Sequence, residues 1–123
     1  MYTVRAFLPQ LYDQGKGHIV VVSSLSGRLT YVGDPVYVTS KHAQVAFVEC
    51  LRKEVTPRGI KMTIIESGMV DTSLSKNPFA DELRKNVTPL DPADVVRAIR
   101  FAFEQPPNCT IYEISLRPLK QLL

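Results

Sequence analysis

Two β-rich runs constrain this chain more than anything else in it: HIVVVSS at residues 18–24 and IKMTIIE at residues 60–66. The first is almost continuously apolar and β-branched. That is the pattern of a strand buried on both faces, and such strands belong to parallel sheets. Parallel neighbours require a long crossover, and the intervening sequence supplies one. Asp34-Pro35 sets a capping carboxylate ahead of a proline at the first helical position. A helix over residues 36–55 follows, closed by Thr56-Pro57-Arg58-Gly59. Ala43, Val45, Ala46, Phe47, Val48, Cys50 and Leu51 surround more than one of its faces. The helix is therefore expected to be covered on two sides, by the sheet and by a second helix or a second subunit.

The flanks continue the alternation. Residues 1–12 read as a helix with one apolar side and no capping residue ahead of it, and Pro9 predicts a kink or an early end. Gly15-Lys16-Gly17 is a turn signal. Residues 72–90 are polar, with a short helix expected over 78–86. Asp91-Pro92-Ala93-Asp94 opens a helix reaching about Glu104, and a strand is expected at residues 110–116. The order predicts a single α/β domain over residues 1–123, with a parallel sheet of about three strands. Ligands of such sheets bind beyond the carboxyl ends of the strands. Ser24 ends the first strand, Ser67-Gly68 ends the second, and Tyr37 begins the helix between them.

Composition narrows the partners. The net charge is +3, but the fifteen Lys and Arg residues are scattered. A nucleic-acid face needs them clustered, so no nucleic-acid partner is expected. The longest apolar run, residues 19–22, is far short of a membrane span, and the first residues lack the order of a secretion signal. The expectation is a cytoplasmic protein with no membrane partner. Cys50 and Cys109 have neither disulfide-framework nor metal spacing and read as reduced, small apolar residues, so no metal site is expected. His18 and His42 read as surface residues. Glu66 reads as a buried or paired carboxylate without a catalytic role. Tyr31 either lines a pocket or packs on the helix.

Tyr37 and Lys41 stand four residues apart, so they share a helix face about 6 Å apart along its axis. A cation close to a phenol favours the phenolate, and a proton donor tuned toward the working pH is a better general acid or base. Ser24, thirteen positions before Tyr37, adds a hydroxyl at the same sheet edge. Phenol, hydroxyl and cation together can stabilise a developing alkoxide.

At Ser24 in VVSSLSG, Tyr37 and Lys41 in YVTSK, and Thr72 in SGMVDT, the chain resembles the short-chain dehydrogenase/reductase family. QPPNCTIYEISLRP also resembles the closing segment of one cytoplasmic branch. The resemblance spans nearly all 123 residues but only the second half of the family's domain. It implies the C-terminal half of a doubly wound, Rossmann-type parallel sheet. No G-x-x-x-G-x-G phosphate turn occurs in these residues, and the family's Asn would precede Met1, as if the chain began at an internal methionine. The resemblance implies hydride transfer between NADP (or NAD) and a small carbonyl or alcohol. Tyr37 would act as acid/base, Ser24 would hold the substrate oxygen, and Lys41 would ease proton loss from Tyr37 and bond the nicotinamide ribose. Gly68, the Val70 backbone and Thr72 would line the cofactor. Ser67 stands where the family usually has proline, which predicts weakened local rigidity.

The resemblance further implies a homo-oligomer through helices 1–12 and 36–55. It also implies a left-handed final crossover that puts the last helix on the opposite sheet face. An alternative is a catalytically silent fragment acting as a dimerisation module. The first strand would then keep an open edge and the chain marginal stability.

Overall fold

The computed structural model describes residues 1–75 and 78–122. Lys76 and Asn77 of the expected polar segment, and Leu123 of the tail, lie outside the described residues. Helix α1 (Tyr2–Gln14) leads into strand β1 (Gly17–Val22). Helix α2 (Pro35–Val55) leads into β2 (Ile60–Ser67). Helices α3 (Pro78–Arg84) and α4 (Pro92–Phe103) precede β3 (Glu113–Leu116). The sheet is parallel in the order β1-β2-β3, with Val22 level with Ile65 and Ser67 with Leu116.

Local chemistry explains most boundaries. The Asp34 side chain accepts the Tyr37 amide and caps α2, with Pro35 in the first turn. Asp91 and Asp94 form a reciprocal capping box at α4. Two expectations are corrected. Pro9 does not end α1, which continues to Gln14, because a proline costs its neighbours one hydrogen bond and the helix gains more from packing Val4, Leu8 and Leu11 on the core. β3 begins at Glu113 rather than residue 110, since Thr110 and Ile111 precede the register that pairs Ile64 with Glu113.

Strand alternation sorts the core onto two faces. Ile19, Val21, Ile60, Met62 and Ile64 pack with Val45, Val48, Leu51 and Val55 of α2, and α1 closes over Phe47. The opposite face carries His18, Thr63 and Lys61 beneath α4. His18 meets the Phe103 ring edge-on at 4.8 Å, and Lys61 donates to the Gln105 carbonyl at 3.1 Å. The two crossovers step the same way across the sheet on opposite faces, so they have opposite hands. One therefore departs from the right-handed rule.

The helix expected to be apolar all round buries one stripe, Val38, Val45, Val48, Leu51 and Val55, and leaves Ala43, Ala46 and Cys50 exposed. His18 is not a surface residue. It is half-buried and bonded through Nε2 to Thr63 Oγ1 at 2.7 Å. Thr63 commits its own proton to the Ile111 carbonyl, so the imidazole is the donor. His42 is likewise half-buried, with Nδ1 3.0 Å from the Val38 carbonyl oxygen. Among the described residues no helix is long and apolar enough to cross a membrane.

Candidate active site

β1 ends at Val22 rather than at Ser24, and two residues on, Ser24 caps a one-turn 3₁₀ helix, Leu25–Gly27. The Ser24 hydroxyl accepts the Ser26 amide at 3.1 Å and donates to Ser26 Oγ at 3.2 Å. Leu25, Ser26 and Gly27 are all buried. The turn lies against α2 so closely that a Cβ at Gly27 would stand 2.7 Å from Val45 Cγ2 and 3.1 Å from the Lys41 carbonyl oxygen. Only glycine permits that approach. The serine turn and the Lys41 turn of α2 are thereby brought together.

On α2 itself, Tyr37 and Lys41 share a face. The Lys41 ammonium sits 5.4 Å from the centre of the Tyr37 ring, within cation–π range. Lys41 also donates to Gln44 Oε1 at 3.2 Å. Partial burial makes its amine easier to deprotonate than a free lysine. Both side chains are half-buried.

The second strand end is organised differently. The Gly68 amide bonds the Leu116 carbonyl at 2.8 Å, and the Met69 amide bonds Gln121 Oε1 at 2.9 Å. A Cβ on Gly68 would meet Gln121 Oε1 at 2.4 Å, so the open side of this glycine faces the chain's own tail. Val70 pairs with Leu90 in an isolated parallel bridge. Thr72 is exposed, its amide donating to Ser75 Oγ at 3.2 Å. Arg84 bonds both Asp71 and Ser75 and ties this loop to α3.

Further residues surround the site, among them Glu66, which is buried and paired as expected, and Arg28, which was not singled out beforehand. Arg28, which ends the serine turn, donates to Glu66 at 2.8 Å and to Glu113 at 2.6 Å, linking that turn to β2 and β3. Glu66 is 1% exposed. Burial, opposed by the Arg28 hydrogen bond and reinforced by the charge of Glu113, raises the pKa of its carboxyl. Tyr31 bonds Ser26 Oγ at 3.0 Å. Arg28 and Gln121 carry no local sequence signal, because their partners lie 38 and 52 positions away.

The sheet is parallel with helices on both faces, and Ser24, Tyr37 and Lys41 belong to the turn and the helix that follow the carboxyl end of β1. Comparison with known proteins gives the family. A family model described as short chain dehydrogenase matches residues 1–83. An NADP-dependent 3-hydroxy acid dehydrogenase of Schizosaccharomyces pombe is 36% identical, over 98% of this chain and 49% of its own length. An uncharacterised oxidoreductase of Staphylococcus aureus is 34% identical, over 97% of this chain and half of its own length. Among solved structures, the closed form of serine dehydrogenase complexed with NADP+ superposes with a TM-score of 0.83 at 26% identity, covering 94% of this chain and 49% of that one. A short-chain dehydrogenase from Streptomyces avermitilis superposes at 0.74 with 34% identity, covering 92% and 46%. The chain belongs to the short-chain dehydrogenase family, and it spans about half the length of the curated relatives it matches.

Proposed function

We propose that this chain carries the catalytic half of an NAD(P)-dependent oxidoreductase that interconverts a carbonyl and an alcohol on a small molecule. The observation that supports this most is the seating of the Ser24 turn on α2 beside Lys41, whose ammonium lies over the Tyr37 ring. The nicotinamide, when bound, supplies or accepts the hydride. Tyr37 holds the proton that the substrate oxygen gains or loses, Ser24 donates a hydrogen bond to that oxygen, and Lys41 holds a positive charge beside Tyr37. The three N–H donors of Lys41 suit the hydroxyls of a ribose. Val70 and Thr72 supply polar groups at the neighbouring strand end, where a carboxamide would lie. Gly68 shapes their turn by admitting the tail.

These donors fit the nicotinamide end of the cofactor, whereas the 123 residues contain no glycine-rich turn for its pyrophosphate. NADP is favoured over NAD by the likeness to the NADP-dependent fission-yeast relative and to the serine dehydrogenase complexed with NADP+.

The test is NADPH oxidation with a panel of carbonyl compounds. It is run on the chain alone and on the chain joined through its first residue to the dinucleotide-binding half of a relative. Tyr37→Phe lowers turnover by about 10²–10⁴-fold if the reading holds. Turnover unchanged by that variant ends it.

A second reading is a silent module that pairs with another copy. It is supported by the apolar cleft that Met1, Val4, Leu8, Phe47 and Leu51 form between α1 and α2, and by the exposure of Tyr2 and Phe7. Such a homo-oligomer would use the helices of residues 1–12 and 36–55. Saturable NADPH binding favours the enzyme. Its absence, with a dimer in sedimentation, favours the module.

A further inference from the structure

The Ser24 hydroxyl does not stand alone. It donates to Ser26 Oγ at 3.2 Å, and Ser26 Oγ lies 3.0 Å from the Tyr31 hydroxyl, where either can donate. Ser26 is 8% exposed and Tyr31 is 38% exposed, so three hydroxyls run in file from the solvent-facing loop to the end of β1. We propose that Ser26 and Tyr31 are positioning residues for the site, forming with Ser24 a hydroxyl chain whose direction reverses when a substrate oxygen is present. This rests on the assignment of Ser24 as the donor to that oxygen.

The reversal follows from proton counting. A serine hydroxyl has one proton and two lone pairs. Without substrate, the Ser24 proton points at Ser26. A carbonyl oxygen set against Ser24 requires that same proton, so the Ser24–Ser26 bond survives only if Ser26 becomes the donor. Ser26 then accepts from Tyr31. The chain now runs Tyr31 to Ser26 to Ser24 to substrate oxygen, with every hydroxyl donating in the same sense. No bond other than hydrogen bonds changes, and no proton leaves its oxygen. Hydrogen bonds arranged head to tail polarise one another, more so where water is excluded. The last donor in the line, Ser24, is strengthened most when the substrate oxygen carries its greatest negative charge. The gain therefore falls on the transition state and shows in kcat rather than KM. The Ser26 amide, which also donates to Ser24 Oγ, holds that oxygen in place while its proton swings.

Two readouts test this. In hydrogen exchange on the full chain, which needs no activity, Tyr31→Phe is expected to speed exchange of the Ser26 amide roughly five-fold by loosening the side chain beside it. An unchanged rate overturns the hydroxyl chain. In NADPH-dependent carbonyl reduction, Tyr31→Phe and Ser26→Ala are each expected to lower kcat roughly three- to ten-fold with KM little changed. Neither is expected to have any further effect in a Ser24→Ala background. Ser26→Thr, which keeps the hydroxyl, restores kcat. If Ser24→Ala leaves turnover intact, the assignment of Ser24 fails and the reversal fails with it, while the exchange result still reports on the chain. If Ser24→Ala is impaired but Tyr31→Phe turns over like the parent, or the effects add in the Ser24→Ala background, this inference alone fails. A fall in KM and kcat together, with a matching loss of stability, marks Tyr31 as a packing residue and also overturns it.

Discussion

Arg28 joins the buried Glu66 carboxylate to the turn that begins at Ser24. Its Nε stands 2.8 Å from Glu66 Oε1, and its outer nitrogen reaches Glu113 on the next strand. A carboxylate taken out of water needs a partner, and this one finds it in the loop that presents the candidate serine. A buried acidic group thus also anchors part of the site.

Removing the anchor has a cost and a pH signature. Arg28→Met is expected to destabilise the chain by about 1–3 kcal/mol in urea melts, since it strands a buried polar group. Glu66 holds its proton more tightly folded than unfolded, mainly because it is buried. The stability from its neutral form is therefore full below about pH 4.5, its ordinary value, and is lost as pH rises through the raised folded value. Glu66→Gln cannot ionise, so its stability relative to the parent should climb between pH 4.5 and 7. A difference that stays flat across that window contradicts the assignment.

Gly27 is predicted to be irreplaceable. An added methyl would press on the branched Val45 side chain and on the Lys41 backbone, neither of which can swing aside. Gly27→Ala should cost about 1–3 kcal/mol, as overpacked cores do. It should also lower carbonyl reduction more than its stability loss explains, because the Ser24 turn must move off α2. Thermal melts beside turnover at a temperature where both proteins are folded separate the two effects.

His18 predicts an acid limb of stability. Burial, with the nearby Lys61 charge, lowers its pKa below 6.5. A lowered folded value means that the neutral ring's contribution is complete above pH 6.5 and disappears as pH falls through the folded value. His18→Gln keeps a donor for Thr63 and does not titrate. Urea titrations at pH 7.5 and pH 5 should show the parent losing stability relative to this variant. Parallel losses in both proteins would refute the coupling.

What was legible in the sequence is what local chemistry determines. The Asp34-Pro35 cap and the four-residue interval of Tyr37 and Lys41 each act over a few positions, and the structure places them as read. The β-branched run does form a parallel strand, but it ends at Val22 and is half-buried at the sheet edge rather than buried on both faces. The early end that Pro9 offered as one of two outcomes did not occur, because tertiary packing of α1 outweighed one missing hydrogen bond. His18 misled because its partners, Thr63 and Phe103, come from other strands and helices. Arg28, Glu66 and Glu113 form one cluster only after the serine turn, the end of β2 and the start of β3 come together, a relation no spacing rule encodes. Ser26 and Tyr31 lay in plain view, but hydroxyls in a loop carry no pattern until the turn is built.

The serine that replaces proline at position 67 suggested a loosened strand end, and the tail supplies a countermeasure. Gln121 accepts the Met69 amide at 2.9 Å and fills the space left by Gly68, while the Gly68 amide is bound to the Leu116 carbonyl. The turn leading to Val70 and Thr72 is therefore pinned by a side chain from outside the sheet rather than by a ring in its own backbone. Gln121→Ala should free the Met69 amide and lower stability by about 1 kcal/mol. If Val70 and Thr72 meet the cofactor, it should also weaken NADPH binding. Gly68→Ala should do the same by expelling Gln121, and combining the two should cost little more than either alone, because both break one contact. Amide exchange at Met69 reads the pinning directly. Protection that survives Gln121→Ala would show that the strand end is rigid without its tail.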